Sequence, residues 1–268
     1  MLGKWAFGVI ALAVSSLFPA VTQACSDLLS GPRGTVAEVT DGDTLVLDSG
    51  LVVRLIGTQA PKLPLGRPGF PTWPLAGESR AELERLTLGK QVEVRYGGER
   101  QDRYRRALGH VFVLGDPEVW AQREMVGRGL ARVYSFPDNR HCLSDLFAAE
   151  ENARARALGI WGNPYYSVRR ADRPDDILEH EGGYELVEGQ ILGAERAGTQ
   201  IYLNFGQNWK KDFTAVIDRD AEKLFVESGL DPLALGGKRV RIRGWIDRRD
   251  GPRVEISHPE QIEVLSSP

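Results

Sequence analysis

Residues 35–57 hold three short segments rich in β-branched residues, Thr-Val-Ala-Glu-Val, Thr-Leu-Val-Leu-Asp and Leu-Val-Val-Arg-Leu-Ile-Gly, separated by Asp-Gly and Ser-Gly dipeptides. Side chains alternate across a strand with period two, and such dipeptides supply the backbone a tight hairpin needs, so this stretch reads as an antiparallel meander. Five prolines between Pro61 and Pro74 then exclude both helix and ladder and predict a stiff surface loop. Helical spacing of Leu83 and Leu86 predicts an amphipathic helix over about 76–88. Two strands follow, at Gln-Val-Glu-Val-Arg-Tyr-Gly and Ala-Leu-Gly-His-Val-Phe-Val-Leu-Gly, then a helix near 118–129 and a longer one near 143–162 that Gly159 would stop. Glu150 and Arg154 are spaced as an i,i+4 pair on its wet face. Five short strands with a helix between the third and fourth fit a closed five-stranded Greek-key barrel of the OB type, with three helices.

The segment 167–183 is charged, lacks apolar periodicity and ends in two glycines, the composition of a linker. Strands resume over 184–268 with a short helix near Arg219–Gly229, which predicts a second small OB-like barrel. There, Lys238, Arg239, Arg241 and Arg243 partly alternate with apolar residues, as charges on an outer, wetted face would. The expected architecture is mainly β with helices (α+β): a first barrel over 34–166, the linker, and the second barrel.

Residues 1–24 combine Lys4, an apolar run from Trp5 to about Leu17 and small residues ending at Ala24, the three-part pattern of a cleaved signal peptide. The run is shorter than the ~20 residues a bilayer span requires. Export to the periplasm or cell exterior is expected, with no stable membrane insertion after cleavage; a retained anchor and acylation of Cys25 are the alternatives. Cys25 and Cys142 are the only cysteines, and in an oxidising compartment an isolated pair is expected to form a disulfide, the alternative being two buried thiols. Closing so long a loop is worth about 4–5 kcal/mol in the chain-entropy model. A net charge of -3 excludes a wholly basic nucleic-acid coat but permits a local basic patch. The four histidines have no metal-type spacing, and no phosphate-cradling glycine motif occurs.

Three stretches carry the candidate chemistry: Val-Thr-Asp-Gly-Asp-Thr with Asp41 and Asp43, Arg-Leu-Ile-Gly-Thr-Gln-Ala-Pro-Lys-Leu with Arg54, Gln59 and Lys62, and Gln-Asp-Arg-Tyr-Arg-Arg with Arg106. With the Gly-Leu-Ala-Arg-Val-Tyr and Gly-Ile-Trp landmarks, residues 34–161 resemble the thermonuclease (staphylococcal nuclease-like) family. The resemblance implies calcium-dependent cleavage of DNA or RNA. It makes Asp43 a metal ligand with Asp41 close by, places Gln59 at a third ligand position, and makes Arg54 and Arg106 the clamp on the scissile phosphate. Calcium takes several oxygen ligands, mostly anionic, and a planar guanidinium suits a phosphate gaining charge. Without the family, Asp43 shaping a turn and Arg54 pairing with an acid across the barrel are the ordinary readings.

Two departures bear on activity. The family's active members carry an acidic ligand where this chain has Gln59 and a glutamate base where it has Lys62. A glutamine carbonyl can ligate calcium but brings no charge; a lysine ammonium takes no proton from water and repels a cation. Calcium is therefore the implied cofactor, with Gln59 and Lys62 counting against it. Arg54, Arg106 and Lys62 remain the candidate catalytic-centre residues. Arg103, Tyr104, Arg105 and Tyr134 are candidates for nucleic-acid binding, as single strand or duplex ends; a solvated arginine-rich hairpin is the alternative. Three readings stay open: a degenerate nuclease homologue that binds nucleic acid or another phosphate-rich ligand, an active calcium-dependent nuclease, and an envelope scaffold or protein-interaction module.

Overall fold

The computed structural model describes residue 25 and residues 27–265; the expected signal peptide over 1–24 lies outside them. The first half comprises β1 (Leu29–Asp41), β2 (Thr44–Leu47), β3 (Val52–Leu55), β4 (Gly57–Gln59), α1 (Ala76–Thr87), β5 (Gln91–Tyr96), β6 (Ala107–Val113), β7 (Val119–Trp120), α2 (Ala121–Gly127), β8 (Arg132–Tyr134) and α3 (Leu143–Ala155). β1 is long enough to serve two neighbours: residues 29–35 pair with β5 and residues 36–41 with β2. The ring runs β3-β2-β1-β5-β6 and closes through the parallel pairing of β3 with β6. Alternation sends Val36, Leu45, Leu47, Val53, Leu55, Val92, Val94 and Val111 into one core, against which Leu83 and Leu86 of α1 pack.

The second half comprises β9 (Arg169–Arg170), α4 (Pro174–Leu178), β10 (Tyr184–Gln190), β11 (Gly193–Ala197), β12 (Gln200–Asn204), β13 (Thr214–Asp218), α5 (Arg219–Ser228), β14 (Arg239–Arg249), β15 (Gly251–Ile256) and β16 (Ile262–Val264). Only Ile191 and Leu192 separate β10 from β11, and the two act as halves of one bent strand. β10 pairs with β14 and β11 with β12; β12 pairs with β13, β13 runs parallel to β15, and β15 pairs with β14. The connectivity repeats that of the first barrel, with a parallel pair between third and fifth strands and a helix between third and fourth. The segment 167–183 carries β9, which extends this sheet beside β10, and α4, whose Ile177 is fully buried in the second core.

Three local expectations are corrected. The longest C-terminal helix of the first half ends at Ala155, not at Gly159. Gly159 is needed instead for its positive φ and because a Cβ there would lie 2.1 Å from the carbonyl oxygen of Gly129. Glu150 is on no wet face: it is 1 % exposed, and its Oε1 accepts from the Val133 backbone N–H at 2.7 Å. Arg243 is completely buried rather than on an outer face, and Arg241 nearly so. Arg243 donates to Glu150 Oε2 at 2.9 Å and to the Val133 carbonyl at 3.1 Å, and it also bonds Glu263, so a charge of β14 is spent joining the barrels. Tyr184, Tyr134 and Trp245 pack edge to face beside this ion pair. Cys25 and Cys142 are disulfide-bonded, with Cα atoms 5.3 Å apart, which ties the segment leading into β1 to the start of α3. No described helix is long and apolar enough to cross a membrane.

Two buried histidines contribute to the acid sensitivity of this assembly. His258 lies between Ser135 Oγ (2.7 Å from Nε2) and Ser257 Oγ (2.9 Å from Nδ1), and burial pushes its pKa down to about 4. Burial, and then the charge of His141, push His110 down to about 3. Both imidazoles stay neutral in the folded state while the unfolded chain takes up protons near pH 6.5. Stability should therefore fall as pH drops below about 6.5, by up to about 1.4 kcal/mol per pH unit for each histidine. Urea midpoints between pH 4.5 and 7 check this; a His258→Gln variant should show a shallower slope, and an unchanged slope would contradict it.

Candidate functional site

The site forms where β1 turns into β2. Asp41 ends β1, and its Oδ1 accepts from the backbone N–H of Asp43 at 3.1 Å, which fixes the Asp-Gly-Asp turn. Gly42 is required there by space: a Cβ would lie 2.0 Å from Ser79 Oγ of α1 and 2.7 Å from Ala60 Cβ. The turn is thereby pressed between α1 and the strand-end segment 57–62. Asp43 becomes fully buried, and Ala60 N–H donates to its Oδ2 at 2.8 Å.

Into this pair of carboxylates Lys62 extends its ammonium. Its Nζ lies 2.7 Å from Asp43 Oδ1, 2.6 Å from Asp43 Oδ2 and 3.4 Å from Asp41 Oδ2. Arg54 stands on the other side of Asp43, its Nη1 3.2 Å from Oδ2. Burial alone would raise the Asp43 pKa, but Arg54 and Lys62 outweigh it and hold that carboxyl well below the usual carboxylate range. Asp41 is shifted the other way, first by burial and then by the charge of Asp43, with Lys62 only partly opposing. Two acids two residues apart thus have opposite shifts, because Asp43 takes most of the cationic contact.

Arg54 is not poised as an open clamp. It is 9 % exposed, and its Nη1 donates to the carbonyls of Asp43 (3.3 Å) and Leu55 (2.8 Å) while Nη2 donates to that of Thr58 (2.6 Å). Its fork stitches the ends of β2, β3 and β4 together. Arg106 stands just before β6, whose Ala107 lies opposite Val53, and is held by Asp102 through a 2.8 Å bond from Nε. Gln59 is buried and faces away from the acids: its Oε1 accepts from Arg132 Nε at 2.9 Å, across the β4–β8 pairing.

The donor set does not fit calcium. The only carboxylates in the turn are Asp41 and Asp43, both engaged by an ammonium, and the third ligand position is turned toward a guanidinium. Among the described residues no group of three or more His, Cys, Asp or Glu side chains could hold a metal ion. A hard dication needs more anionic oxygen than this.

The other candidates separate into two places. Arg103, Tyr104 and Arg105 form an exposed hairpin tip; Tyr104 is 65 % exposed, and its hydroxyl accepts from Arg103 Nη2 at 2.7 Å. Tyr134 is not with them. It sits at the junction of the barrels, where its hydroxyl accepts from Trp245 Nε1 at 3.1 Å. Phe70 and Trp73 of the proline-rich loop stack with centroids 6.2 Å apart, and Trp73 leans on Tyr165. Reading the sequence missed the Ala60 N–H and Arg132 as members of the site. Neither left a signal, because both depend on how β4 lies against its neighbours.

A closed five-strand barrel with three helices, an Asp-Gly-Asp turn and an inward strand arginine beside it defines a thermonuclease-like domain. Residues 52–163 match the family model described as Staphylococcal nuclease homologue. The matched segment includes Arg54, Gln59, Lys62 and Arg106, while Asp41 and Asp43 precede it. No curated protein matches the chain.

Proposed function

We propose that this is an exported, nuclease-like protein whose hydrolytic centre is silent and whose first barrel binds nucleic acid. The observation that carries the reading is the Lys62 ammonium seated on both carboxylates of the turn. It sets one positive charge where a dication would bring two, and it offers no base for the attacking water. Removing a general base alone costs ~10²- to 10⁴-fold in rate. The exposed Arg103–Tyr104–Arg105 tip supports binding, since cations flanking an aromatic ring suit a single strand. Export is supported by the pattern of residues 1–24 and by the Cys25–Cys142 bond, which fits an oxidising compartment.

Purified mature protein should cleave neither DNA nor RNA in calcium beyond its level in chelator. Calcium-dependent cleavage that disappears on Asp43→Ala would overturn the silent reading. It should bind a single-stranded oligonucleotide with an affinity that falls as salt rises. An Arg103→Ala, Arg105→Ala variant should lose about 0.7 of the log–log salt slope per phosphate contact removed. Absence of affinity even at low salt would favour a scaffolding role instead.

A further inference from the structure

The second barrel carries a groove of its own. β12 and β13 send Ile201, Leu203, Ala215 and Ile217 into the core, which leaves Tyr202, Asn204, Thr214 and Val216 on the outer face. Thr214 and Val216 are nonetheless only 8 % and 1 % exposed, because they form the floor of a groove of roughly 340 Å³. One wall is Trp209, in the loop between β12 and β13; the other is the Arg249–Arg253 stretch around the β14–β15 turn. The loop and the turn are in contact: a Cβ on Gly251 would lie 2.7 Å from the Asp212 carbonyl oxygen and 2.8 Å from the Lys211 carbonyl carbon. In barrels of this connectivity, the outer face of the second and third strands, with the loops joining strands one to two and four to five, is the surface that takes extended polymers.

The charges and the ring at this groove select among such polymers. Glu195 accepts from Asn204 Nδ2 at 3.0 Å and Asp212 from the Asn208 backbone N–H at 2.7 Å, neutral donors that fix these carboxylates in place without cancelling their charge, whereas Asp247 is ion-paired with Arg253. Arg249 at the groove and Lys210 and Lys211 in the adjoining loop make no ion pair within 4 Å with a described carboxylate, and Arg249 stands on the wall opposite Trp209. Arg253 Nε is buried without a partner. Trp209 is 60 % exposed, with Lys210 Nζ 5.4 Å from its ring centroid. A large exposed ring among unpaired cations is a stacking platform next to phosphate-seeking charge, the combination that holds single-stranded nucleic acid with little dependence on sequence.

We infer that this groove is a second single-strand binding site, in which a base stacks on Trp209 while Arg249 and the lysines of the loop meet the backbone phosphates. It is built from different residues than the hairpin tip of the first barrel and stands or falls apart from it.

The test is fluorescence anisotropy of the full mature protein with a labelled single strand of about a dozen nucleotides, within the span such barrels cover. Trp209→Ala should weaken binding roughly five- to hundredfold with unchanged circular dichroism and melting midpoint. Arg249→Ala should lower the salt slope by about 0.7. Parent affinity in Trp209→Ala overturns the inference, even if the Arg103→Ala, Arg105→Ala variant has lost binding. The converse pattern, loss in Trp209→Ala and none in the hairpin variant, supports the groove and removes the hairpin. Binding of a neutral β-linked oligosaccharide with no binding of the oligonucleotide also overturns it.

Discussion

Replacing Arg243 by alanine should destabilise the protein by about 3 to 5 kcal/mol, the cost of leaving a buried carboxylate without its partner. Arg243 is completely buried, and its guanidinium lies over the Phe147 ring at 4.5 Å while bonding Glu150, Glu263 and the Val133 carbonyl. Burial works against its charge, but the carboxylates of Glu150 and then Glu263 more than compensate and raise its pKa. Burial likewise opposes ionisation of Glu263, and Arg243 with Arg241 lowers its pKa in spite of it. Urea denaturation at pH 7 reads the effect. Coupling Arg243→Met with Glu150→Gln should recover much of the loss, because no charge is then stranded between the pair and an acceptor for the Val133 N–H remains. A loss below about 1 kcal/mol in Arg243→Ala, the range of exposed pairs, would mean that the junction is held by its aromatic contacts instead.

The second large effect is expected from changing Gln59 to Asp and Lys62 to Glu together. Position 62 would then bring a third carboxylate to Asp41 and Asp43 in place of the ammonium that now neutralises them, and position 59 a fourth, buried beside Arg132. In chelator the variant should be strongly destabilised, and calcium should restore it, adding about 2.7 kcal/mol at a hundredfold excess over its Kd. The parent should show no such response. Arg132 limits the rescue: Gln59 Oε1 already faces its Nε, so an aspartate at 59 would pair with that guanidinium as readily as with a metal. Thermal midpoints with and without calcium decide the matter. A parent stabilised as much as the variant would show that Lys62 leaves its seat to admit the cation.

The architecture was largely legible because its determinants are local. Period-two alternation, the Asp-Gly turn, the proline run and the spacing of Leu83 and Leu86 each act within a few residues, and together they allow few topologies. That Asp41, Asp43, Arg54 and position 62 belong to one place was an expectation from the family resemblance rather than from local periodicity; Gly42, which forces the turn against α1, left only its Asp-Gly-Asp signature. What escaped were partners far apart in the chain. Glu150 and Arg154 do meet at 3.3 Å as their spacing suggested, yet Glu150 also meets Arg243, 93 residues away, and that contact decides its burial. Alternating arginines in β14 look the same whether their face meets water or a second barrel. Gln59 and Tyr134 were assigned to ligands, whereas Arg132 and Trp245 claim them, through pairings of short strands and ring packing that leave no periodic trace.

A dissociable ion occupies its site according to the concentration around the protein, so an ion-filled turn reports its medium. Lys62 is fastened to the chain 19 residues from Asp43, and the effective concentration of its ammonium is set by the fold. Dilution and chelation cannot remove it. With Lys62 seated, the turn carries a cation that belongs to the chain, and its charge balance does not follow the ion content of the medium.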